Sequence, residues 1–413
     1  MENTRDLLIR GVAAAKAKLT GEARFYLEWL LRLEPPKDQQ NEALFWLSSL
    51  STNPVDERGL LESILANDPY DPRARRRLLI LDGKIKTGDL INPESYEQDI
   101  NSPQTIPADK FTCPNCGGRM TYSPEGASLE CENCNSRQFF RRQTGALSND
   151  SSSGQDFIIA MATASGHNQV ISHQIITCKG CGAEFLLSER QIATSCPYCH
   201  SPQVINFHTI RQMVPPARII PINVGYQQAF AAAQKALSGN LDINKMYDVR
   251  PAFYPVWQFE LSGEVGWRLP AVDVTDFEKP SGAELVGFFT VPVLAVEGLF
   301  KQFPNLAIDF DYSSIEPYSP NYLVDCLAVG YHLPLSGAAL EAREFTVREF
   351  SRRIEKKIGR RSGEFFISSS NLYISQFWLT MVPIWVFSDS IAGKIALVNG
   401  QNANTRTGLL VTK

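Results

Sequence analysis

Eight cysteines, arranged as two copies of one pattern, constrain this chain more than any other feature. Residues 112–138 read TCPNCGGRMTYSPEGASLECENCNSRQ, in which two Cys-x-x-Cys pairs bracket 14 residues. Residues 177–202 read TCKGCGAEFLLSERQIATSCPYCHSP and repeat the same spacing. The eight positions are Cys113, Cys116, Cys131, Cys134, Cys178, Cys181, Cys196 and Cys199.

The spacing of these cysteines is typical of zinc ribbons. A Cys-x-x-Cys turn directs two thiolates at one ion, and two such turns at the tips of neighbouring hairpins complete a tetrahedral site. Common iron–sulfur sequences instead place three cysteines close together, and a redox dithiol needs one reactive pair rather than four matched pairs. The sequence therefore predicts two structural Zn²⁺ sites, each with four protein ligands and no position left for water or substrate.

The residues that follow the Cys-x-x-Cys turns favour the same interpretation. Gly117 and Gly182 follow the first turn of each module, where the chain doubles back and a positive φ is expected. Asn135 has this place in the second turn of the first module, and asparagine is the next most tolerant residue there. His200 has it in the second module and is an alternative ligand, although four cysteines already complete that site.

The first 88 residues have a helical pattern with a 34-residue period. The segment ARFYLEWLLRLEP, shifted by 34 positions, aligns with ERGLLESILANDP, so that Leu27 matches Leu61 and Leu30 matches Ile64. A period of this length with a helix-ending proline resembles the tetratricopeptide repeat, in which stacked helix pairs bury each other's apolar faces. An unrelated helical bundle is the alternative, and it predicts no fixed period.

A second internal similarity lies in the C-terminal half. Pro-x-Trp-x-Phe occurs at 255–259 and again at 383–387. The helical patterns GYQQAFAAAQKAL and AALEAREFTVREFSRRIEKKI precede the two copies, and a strand pattern follows each copy after a glycine-containing turn. We expect two related helix-plus-hairpin units in one α+β domain, as an internal duplication would produce.

These observations predict a multidomain chain, since 413 residues exceed one ordinary domain. An all-α tetratricopeptide-like N-terminus and a C-terminal α+β domain flank two β zinc ribbons. The polar segment QTGALSNDSSSGQD and the β-branched segment after it predict a linker with strands between the ribbons. The predicted divisions are 1–88 for the helical repeats, 89–109 for a linker, 110–142 for ribbon 1, 143–172 for the linker with strands, 173–208 for ribbon 2 and 209–413 for the C-terminal domain.

The charge distribution argues against nucleic acid as a partner. Net charge is −4 for the whole chain, and residues 108–211 contain eight Lys or Arg and eight Asp or Glu. Each Zn²⁺ with four thiolates would add −2, whereas phosphate binding needs a positive surface. The arginines of ribbon 1 (Arg137, Arg141 and Arg142) and the RARRR cluster at 73–77 are predicted to be solvated faces.

The basic run at 343–361 has two interpretations. Val347, Phe350, Ile354 and Ile358 fall at helical spacing and form an apolar stripe, while lysines and arginines gather on the other faces. Such a helix contacts anionic lipid or nucleic acid in some proteins. A helix docked on the core with one solvated face is the commoner arrangement, and it is the one predicted here.

No catalytic motif is found in the sequence. There is no phosphate-binding glycine loop, no His-Glu-x-x-His and no nucleophile elbow, and the five histidines have no ligand spacing. Asp309 and Asp311 precede a predicted turn, where aspartates usually cap or are solvated, and Cys326 has the apolar neighbours of a core residue. We therefore expect a protein that is not an enzyme. The N-terminus has no apolar signal region and no apolar run reaches membrane-spanning length, so a cytoplasmic location is predicted.

From about residue 108 onward the chain resembles bacterial TFIIB-type zinc-ribbon proteins. The resemblance rests on CPNCGG with CENC, CGAEF with CPYC, YPVWQFEL, SIEPYSPNYL and VPIWVFSDSIAGKIALVNGQ. Such proteins are often labelled after the primosomal helicase, a label that does not extend to this chain because no nucleotide-binding motif is found. Some are encoded beside membrane-stress components, so the resemblance implies an adaptor or scaffold linked to a membrane-stress complex.

The function expected from the sequence is a zinc-binding adaptor that contacts a protein partner through its helical repeats. The alternative, from a different class, is a nucleic-acid-associated ribbon protein, and the neutral ribbon segment argues against it. Peripheral association with a membrane and the oligomeric state stay open.

Overall fold

A computed structural model gives the architecture of the chain. It describes residues 3–69, 71–91, 104–110, 113, 115–116, 120–122, 128–131, 133–139, 154–163, 166, 174–177, 184–187, 191–195, 202–205, 214–237, 251–270, 281–296, 302–303, 305–323, 326–361, 363–389 and 393–409. The α-helices within these ranges are α1 (Thr4–Lys16), α2 (Thr20–Arg32), α3 (Lys37–Ser49), α4 (Pro54–Asn67), α5 (Pro72–Leu81), α6 (Phe157–Ala162), α7 (Tyr226–Ala236) and α8 (Leu335–Ile358).

The strands described by the structure fall into two sheets. One sheet has three strands, which are β2 (Met120–Tyr122), β3 (Ser128–Cys131) and β4 (Arg137–Phe139). The other is a curled sheet with parallel and antiparallel pairings, built from β1 (Gln104–Lys110), β5 (Gln155–Asp156), β6 (Gln174–Thr177), β7 (Glu184–Leu187), β8 (Gln191–Ser195), β9 (Pro202–Ile205), β10 (Arg218–Ile219), β11 (Ala252–Arg268), β12 (Ser281–Leu294), β13 (Glu316–Pro317), β14 (Leu327–Val329), β15 (Phe366–Ser368), β16 (Leu372–Asp389), β17 (Lys394–Asn399) and β18 (Thr405–Leu409).

The N-terminal region consists of helices α1 to α5, as the helical pattern predicts. Each helix packs on the next along the chain, and α1 also packs on α3. Helix α4 begins 34 residues after α2, and the matched positions Leu27, Leu61, Leu30 and Ile64 are all fully buried. The period in the sequence therefore corresponds to a repeated packing position in the structure.

The starts of several of these helices follow from their first residues. The Asn53 side chain accepts a hydrogen bond from Val55 N, and Pro54 fills the first turn, where its missing N–H costs nothing. Asp71 caps α5 in the same way and accepts from Arg73 N and Ala74 N, with Pro72 after it. A cap of this kind stabilises a helix by about 1 kcal/mol.

The C-terminal domain is centred on the two long strands that contain the Pro-x-Trp-x-Phe motifs. Strands β11 and β16 pair antiparallel from Ala252–Ile384 to Gly263–Leu372. Strand β12 pairs with the outer edge of β11, and β17 pairs with β16. Helix α8 packs on β11 and β12, whereas α7 packs on β16, β17 and β18. Each helix therefore covers the hairpin that follows the other helix.

The units β10–α7–β11–β12 and β14–α8–β16–β17 have equivalent strand pairings. A shift of 128 residues maps Tyr254 onto Val382, and these two residues pair with each other across the sheet. Strand β10 pairs parallel with β16 through Arg218–Thr380, and β14 pairs parallel with β11 through Leu327–Ala252. The same shift maps Ala252 onto Thr380, so the two units are related by an approximate two-fold axis near Tyr254.

The hydrogen bonds around the two tryptophans repeat in the same way. Trp257 Nε1 donates to Leu333 O at 2.9 Å, and Trp385 Nε1 donates to Val224 O at 3.0 Å. Each acceptor lies two residues before the helix of the opposite unit. Pro255 O accepts from Ala295 N, and Pro383 O accepts from Gly400 N, both at 2.9 Å. The Pro-x-Trp segments thus have equivalent positions and contacts.

Two segments differ from the expected linkers. Residues 157–162, expected as strand, form helix α6, because Asp156 accepts from Ile158 N and Ile159 N and so caps a helical turn. In the predicted linker 89–109, β1 begins at Gln104 and pairs parallel with β6 and antiparallel with β9. Strand β8 pairs with β14, which joins this group of strands to the C-terminal sheet. The strands of ribbon 2 therefore belong to a larger sheet rather than to a separate module.

The helical region contacts the C-terminal domain through a small interface. Helix α5 packs on α6, and Ile91 N donates to Ala162 O at 3.2 Å. Tyr373 of β16 donates its hydroxyl proton to Asp68 Oδ2 at 3.2 Å. Helix α6 reaches the other way into the sheet, where Phe157 packs edge-on against Phe377. This short helix is the physical connection between the two regions.

Candidate metal centre

The first cysteine module is built on the three-stranded sheet. Strand β3 ends at Cys131, which pairs with Met120 of β2. The following turn is closed by two hydrogen bonds, from Asn135 N to Cys131 O and from Cys131 N to Ser136 O, each 2.9 Å. Asn135 has φ 54°, which confirms the positive φ predicted at this place. Such a turn brings Cys131 and Cys134 onto the same side of the chain.

The four sulfurs of this module converge on one point. Cys113 Sγ lies 3.5 Å from Cys134 Sγ, and Cys116 Sγ lies 3.5 Å from Cys131 Sγ. All four sulfurs lie within 4.8 Å of one another. A tetrahedral site with metal–sulfur bonds of about 2.3 Å separates its sulfurs by about 3.8 Å. The spacing therefore fits one metal ion between the two Cys-x-x-Cys turns.

The surroundings favour the thiolate form of these cysteines. Ser136 Oγ lies 3.0 Å from Cys113 Sγ and 3.2 Å from Cys134 Sγ. Hydrogen bonding to the Ser136 hydroxyl is the largest cause that lowers the pKa of Cys113 to about 6, and it also lowers the pKa of Cys134. Thiolate is the form that binds metal. Asn133 Nδ2 adds a longer contact of 3.8 Å to Cys116 Sγ.

The arrangement is suited to holding a metal rather than to catalysis by one. Within the residues that the structure describes, the group able to hold an ion consists of these four cysteines. Cys113 and Cys131 are buried, and Cys116 and Cys134 are exposed. Four thiolates fill a tetrahedral ion, so no coordination position remains for water or substrate.

The ligands of the second module lie outside the described residues. Cys178 and Cys181 fall in the connection between β6 and β7, and Cys196 and Cys199 fall between β8 and β9. Both strand pairs are antiparallel hairpins, with Thr177 opposite Glu184 and Ser195 opposite Pro202. The flanking hairpins match the predicted ribbon pattern. His200, Gly117 and Gly182 also lie outside the described residues.

The basic clusters are largely paired or lie on solvated faces. Arg137 Nε lies 3.5 Å from Glu130 Oε1, and Arg141 and Arg142 lie outside the described residues. In the 73–77 cluster, Arg73 Nη1 lies 2.6 Å from Glu42 Oε2, and Arg77 pairs with Glu57. The described contacts therefore match the prediction of solvated, ion-paired faces.

The basic run at 343–361 forms the second half of α8 and its end. Phe350 and Ile354 are buried in the main core, with Val347 and Ile358 packed against it. Its lysines and arginines from position 348 onward are exposed, and Lys357 Nζ lies 3.0 Å from Glu284 Oε2. The prediction of a helix docked on the core with a solvated face is confirmed.

The other candidate residues have structural roles. Asp309 forms a two-atom ion pair with Arg406, in which Arg406 Nη2 lies 2.6 Å from Asp309 Oδ1. Asp311 accepts from Ser313 N and begins a turn, as expected for a capping aspartate. Cys326 is buried in the main core, which confirms that expectation. Of the five histidines only His332 lies within the described residues, and its backbone N donates to Ala295 O.

Ser136 is the site residue that the sequence reasoning did not find. A signal was present, because serine stands two residues after the last cysteine in both modules, as Ser136 and as Ser201. The hydrogen bond from Tyr373 to Asp68 had no comparable signal, since the two residues are about 300 positions apart.

Comparisons with protein-family models, with curated proteins and with solved structures give no match for this chain. None of the helices in the described part of the chain combines the length and the apolar character that crossing a bilayer requires.

Proposed function

We propose that this chain is a non-enzymatic adaptor whose middle segment is stabilised by zinc. The observation that supports the proposal most directly is the convergence of four cysteine sulfurs within 4.8 Å, with every tetrahedral position supplied by the protein. A closed site of this kind stabilises a fold and leaves no place for a reactant.

Zinc is the metal that this ligand set favours. Two Cys-x-x-Cys turns on short hairpins supply four thiolates at tetrahedral spacing, as structural zinc sites do. A sheet of three short strands buries too little apolar surface to fold alone. Zinc binding contributes about 10–16 kcal/mol at neutral pH in comparable small sites, which is enough to offset that deficit. We propose a second zinc ion for Cys178, Cys181, Cys196 and Cys199.

The helical region supplies the surface proposed for a partner. The 34-residue recurrence of α2 as α4, with matched buried leucine and isoleucine positions, supports a tetratricopeptide-like array. In such an array α1, α3 and α5 line one surface, and α2 and α4 line the other, which agrees with the packing of α1 on α3. Extended surfaces of this type bind proteins.

The C-terminal domain is proposed to have arisen by duplication of one β–α–β–β unit. The equivalent pairings of β10 with β16 and of β14 with β11 support this origin. The resemblance of the sequence to TFIIB-type zinc-ribbon proteins would place the chain among scaffolds of that kind, with a link to membrane stress as part of the proposal.

The adaptor proposal is tested with a matched pair of surface variants. Ile9 of α1 is 59% exposed and Val55 of α4 is 74% exposed, so neither side chain supports the core. Affinity capture with crosslinking and mass spectrometry, from cytosol and membrane fractions separately, should recover a reproducible partner with the unmodified chain. Ile9→Lys should lose this partner, and Val55→Lys should keep it.

Two results would oppose the adaptor proposal. The same recovery with both variants would show that the surface formed by α1, α3 and α5 is not the docking surface. A metal-free purified protein would remove the zinc component of the proposal.

A further inference from the structure

The side chain of Ser136 lies against two ligands of the metal site. Its Oγ is 3.0 Å from Cys113 Sγ and 3.2 Å from Cys134 Sγ, and these sulfurs belong to different Cys-x-x-Cys turns. One hydroxyl therefore contacts both halves of the ligand set. Its single proton can be donated to either thiolate.

The backbone of the same residue has a separate role. Ser136 O accepts from Cys131 N at 2.9 Å and closes the turn, and this bond does not involve the side chain. An alanine at this position keeps the backbone acceptor and removes the hydroxyl alone. The turn and the contact with the sulfurs can thus be tested independently.

The charge of the site gives the hydroxyl its purpose. Four thiolates around one divalent cation leave a net charge of −2, most of it on sulfur. A hydrogen bond donated to a ligand atom stabilises that negative charge and fixes the orientation of the ligand, and loss of such an outer partner typically costs 10–100-fold in metal affinity. Ser136 contacts the two sulfurs at 3.0 and 3.2 Å, whereas Asn133 Nδ2 reaches one sulfur at 3.8 Å.

From this geometry we infer that Ser136 is a positioning residue of the metal site, which donates a hydrogen bond to the Cys113 and Cys134 thiolates and thereby tightens the binding of the metal. The inference rests on the proposed zinc site and adds a residue to it that does not bind the metal directly.

The experiment measures zinc transfer from the full-length chain to a chromogenic chelator at neutral pH. Cys116→Ser identifies which phase of release belongs to the first site. We expect Ser136→Ala to weaken zinc binding in that phase by 10–100-fold, the range typical of outer partners. Ser136→Thr, which keeps the hydroxyl, should stay close to the unmodified protein, and Asn133→Ala should have a smaller effect than Ser136→Ala.

A spectroscopic measurement separates a hydrogen bond from a general loosening of the ribbon. With Co²⁺ in place of zinc, the sulfur-to-metal charge-transfer band should move to lower energy in Ser136→Ala, because sulfur without the hydrogen bond gives up its electrons more easily. An unchanged band and unchanged zinc release would overturn the inference, as would equal losses in Ser136→Ala and Ser136→Thr. Failure of the first site to bind any metal in the unmodified chain would instead overturn the proposed function.

Discussion

At the scale of single residues, the backbone of the cysteine module depends on one position with a positive φ. Asn135 has φ 54°, a conformation that costs most L-residues about 1–2 kcal/mol and that asparagine and glycine adopt more readily. The pattern of glycines after the other turns was enough to predict it, because the requirement is local to the Cys-x-x-Cys turn.

The backbone requirement at Asn135 leads to a prediction about zinc affinity. Asn135→Gly should keep the affinity of the first site within about threefold, because glycine adopts the same conformation freely. Asn135→Val should weaken it about tenfold, which corresponds to roughly 1.4 kcal/mol of strain. Chelator competition on the full chain measures both. Equal affinities for the two variants would show that the turn does not require a positive φ.

A second prediction at this scale concerns a buried tyrosine. Burial raises the pKa of Tyr254 to about 12, from an ordinary value of about 10. A raised pKa means that the folded state holds the proton more strongly, so this contribution to the free energy of unfolding is complete below about pH 10 and is lost as the pH rises through about 12. Tyr331 is raised to about 12 for the same reason.

We therefore expect the free energy of unfolding to fall between about pH 10 and pH 12, and to fall less steeply in Tyr254→Phe. Urea denaturation followed by tryptophan fluorescence across this range is the measurement. A pH dependence in Tyr254→Phe as steep as in the unmodified chain would contradict the assignment.

At the scale of elements, the cysteine module and the paired tryptophans test different kinds of cohesion. The β2–β3–β4 sheet of ribbon 1 is separate from the large sheet among the described strands, so its stability should depend on its own metal. The two halves of the C-terminal domain instead depend on contacts with each other.

Removal of one ligand should affect ribbon 1 alone. The purified chain should contain two zinc ions, and Cys116→Ser should contain one, with ribbon 1 unfolded and α1 to α5 intact. Elemental analysis and hydrogen exchange of the helical region measure these outcomes. Cys326→Ala is the matched control and should keep both ions, because Cys326 is a core residue. Iron, or one zinc ion in the unmodified chain, would contradict the two-site prediction.

The equivalence of the two tryptophans predicts equivalent losses. Trp257→Phe and Trp385→Phe each remove one hydrogen bond to a carbonyl that precedes a helix of the opposite unit. Each should lower the free energy of unfolding by about 1–3 kcal/mol. Denaturant unfolding monitored by circular dichroism provides the comparison. A large loss in one variant and none in the other would argue against equivalent units.

At the scale of the whole molecule, the distribution of charge decides between the two classes of function considered. Residues 108–211 balance eight positive against eight negative side chains, and bound zinc with thiolates adds negative charge. Binding to phosphates needs clustered positive charge, and a protein with 6–10 such contacts loses roughly 10³–10⁵ in affinity between 50 and 200 mM salt.

We expect weak nucleic-acid binding by the full chain, with no such steep salt dependence. Fluorescence anisotropy with single- and double-stranded probes over a salt series is the measurement. Any residual binding should be lost in Arg352→Glu with Lys356→Glu on α8 and kept in Cys116→Ser. Sub-micromolar binding at physiological salt that disappears in Cys116→Ser would favour a nucleic-acid-associated ribbon protein instead.

The features that the sequence determined by itself are those set over short distances along the chain. The Cys-x-x-Cys turns, Asn135, the helices with their 34-residue period and the strands with Pro-x-Trp-x-Phe each depend on neighbours within about one turn, one hairpin or one repeat. Local geometry and apolar periodicity are therefore sufficient to predict them.

Tertiary structure decided the features that need a partner far away in sequence. The pairing of β1 with β6 and β9, the exchange of helices between the two C-terminal units, and the Tyr373–Asp68 hydrogen bond each join segments that have no mutual signal in composition. An unpaired strand edge or apolar helix face accepts many partners equally well in principle. Which one it binds depends on the register and shape of the assembled core, and these exist only after the chain has folded.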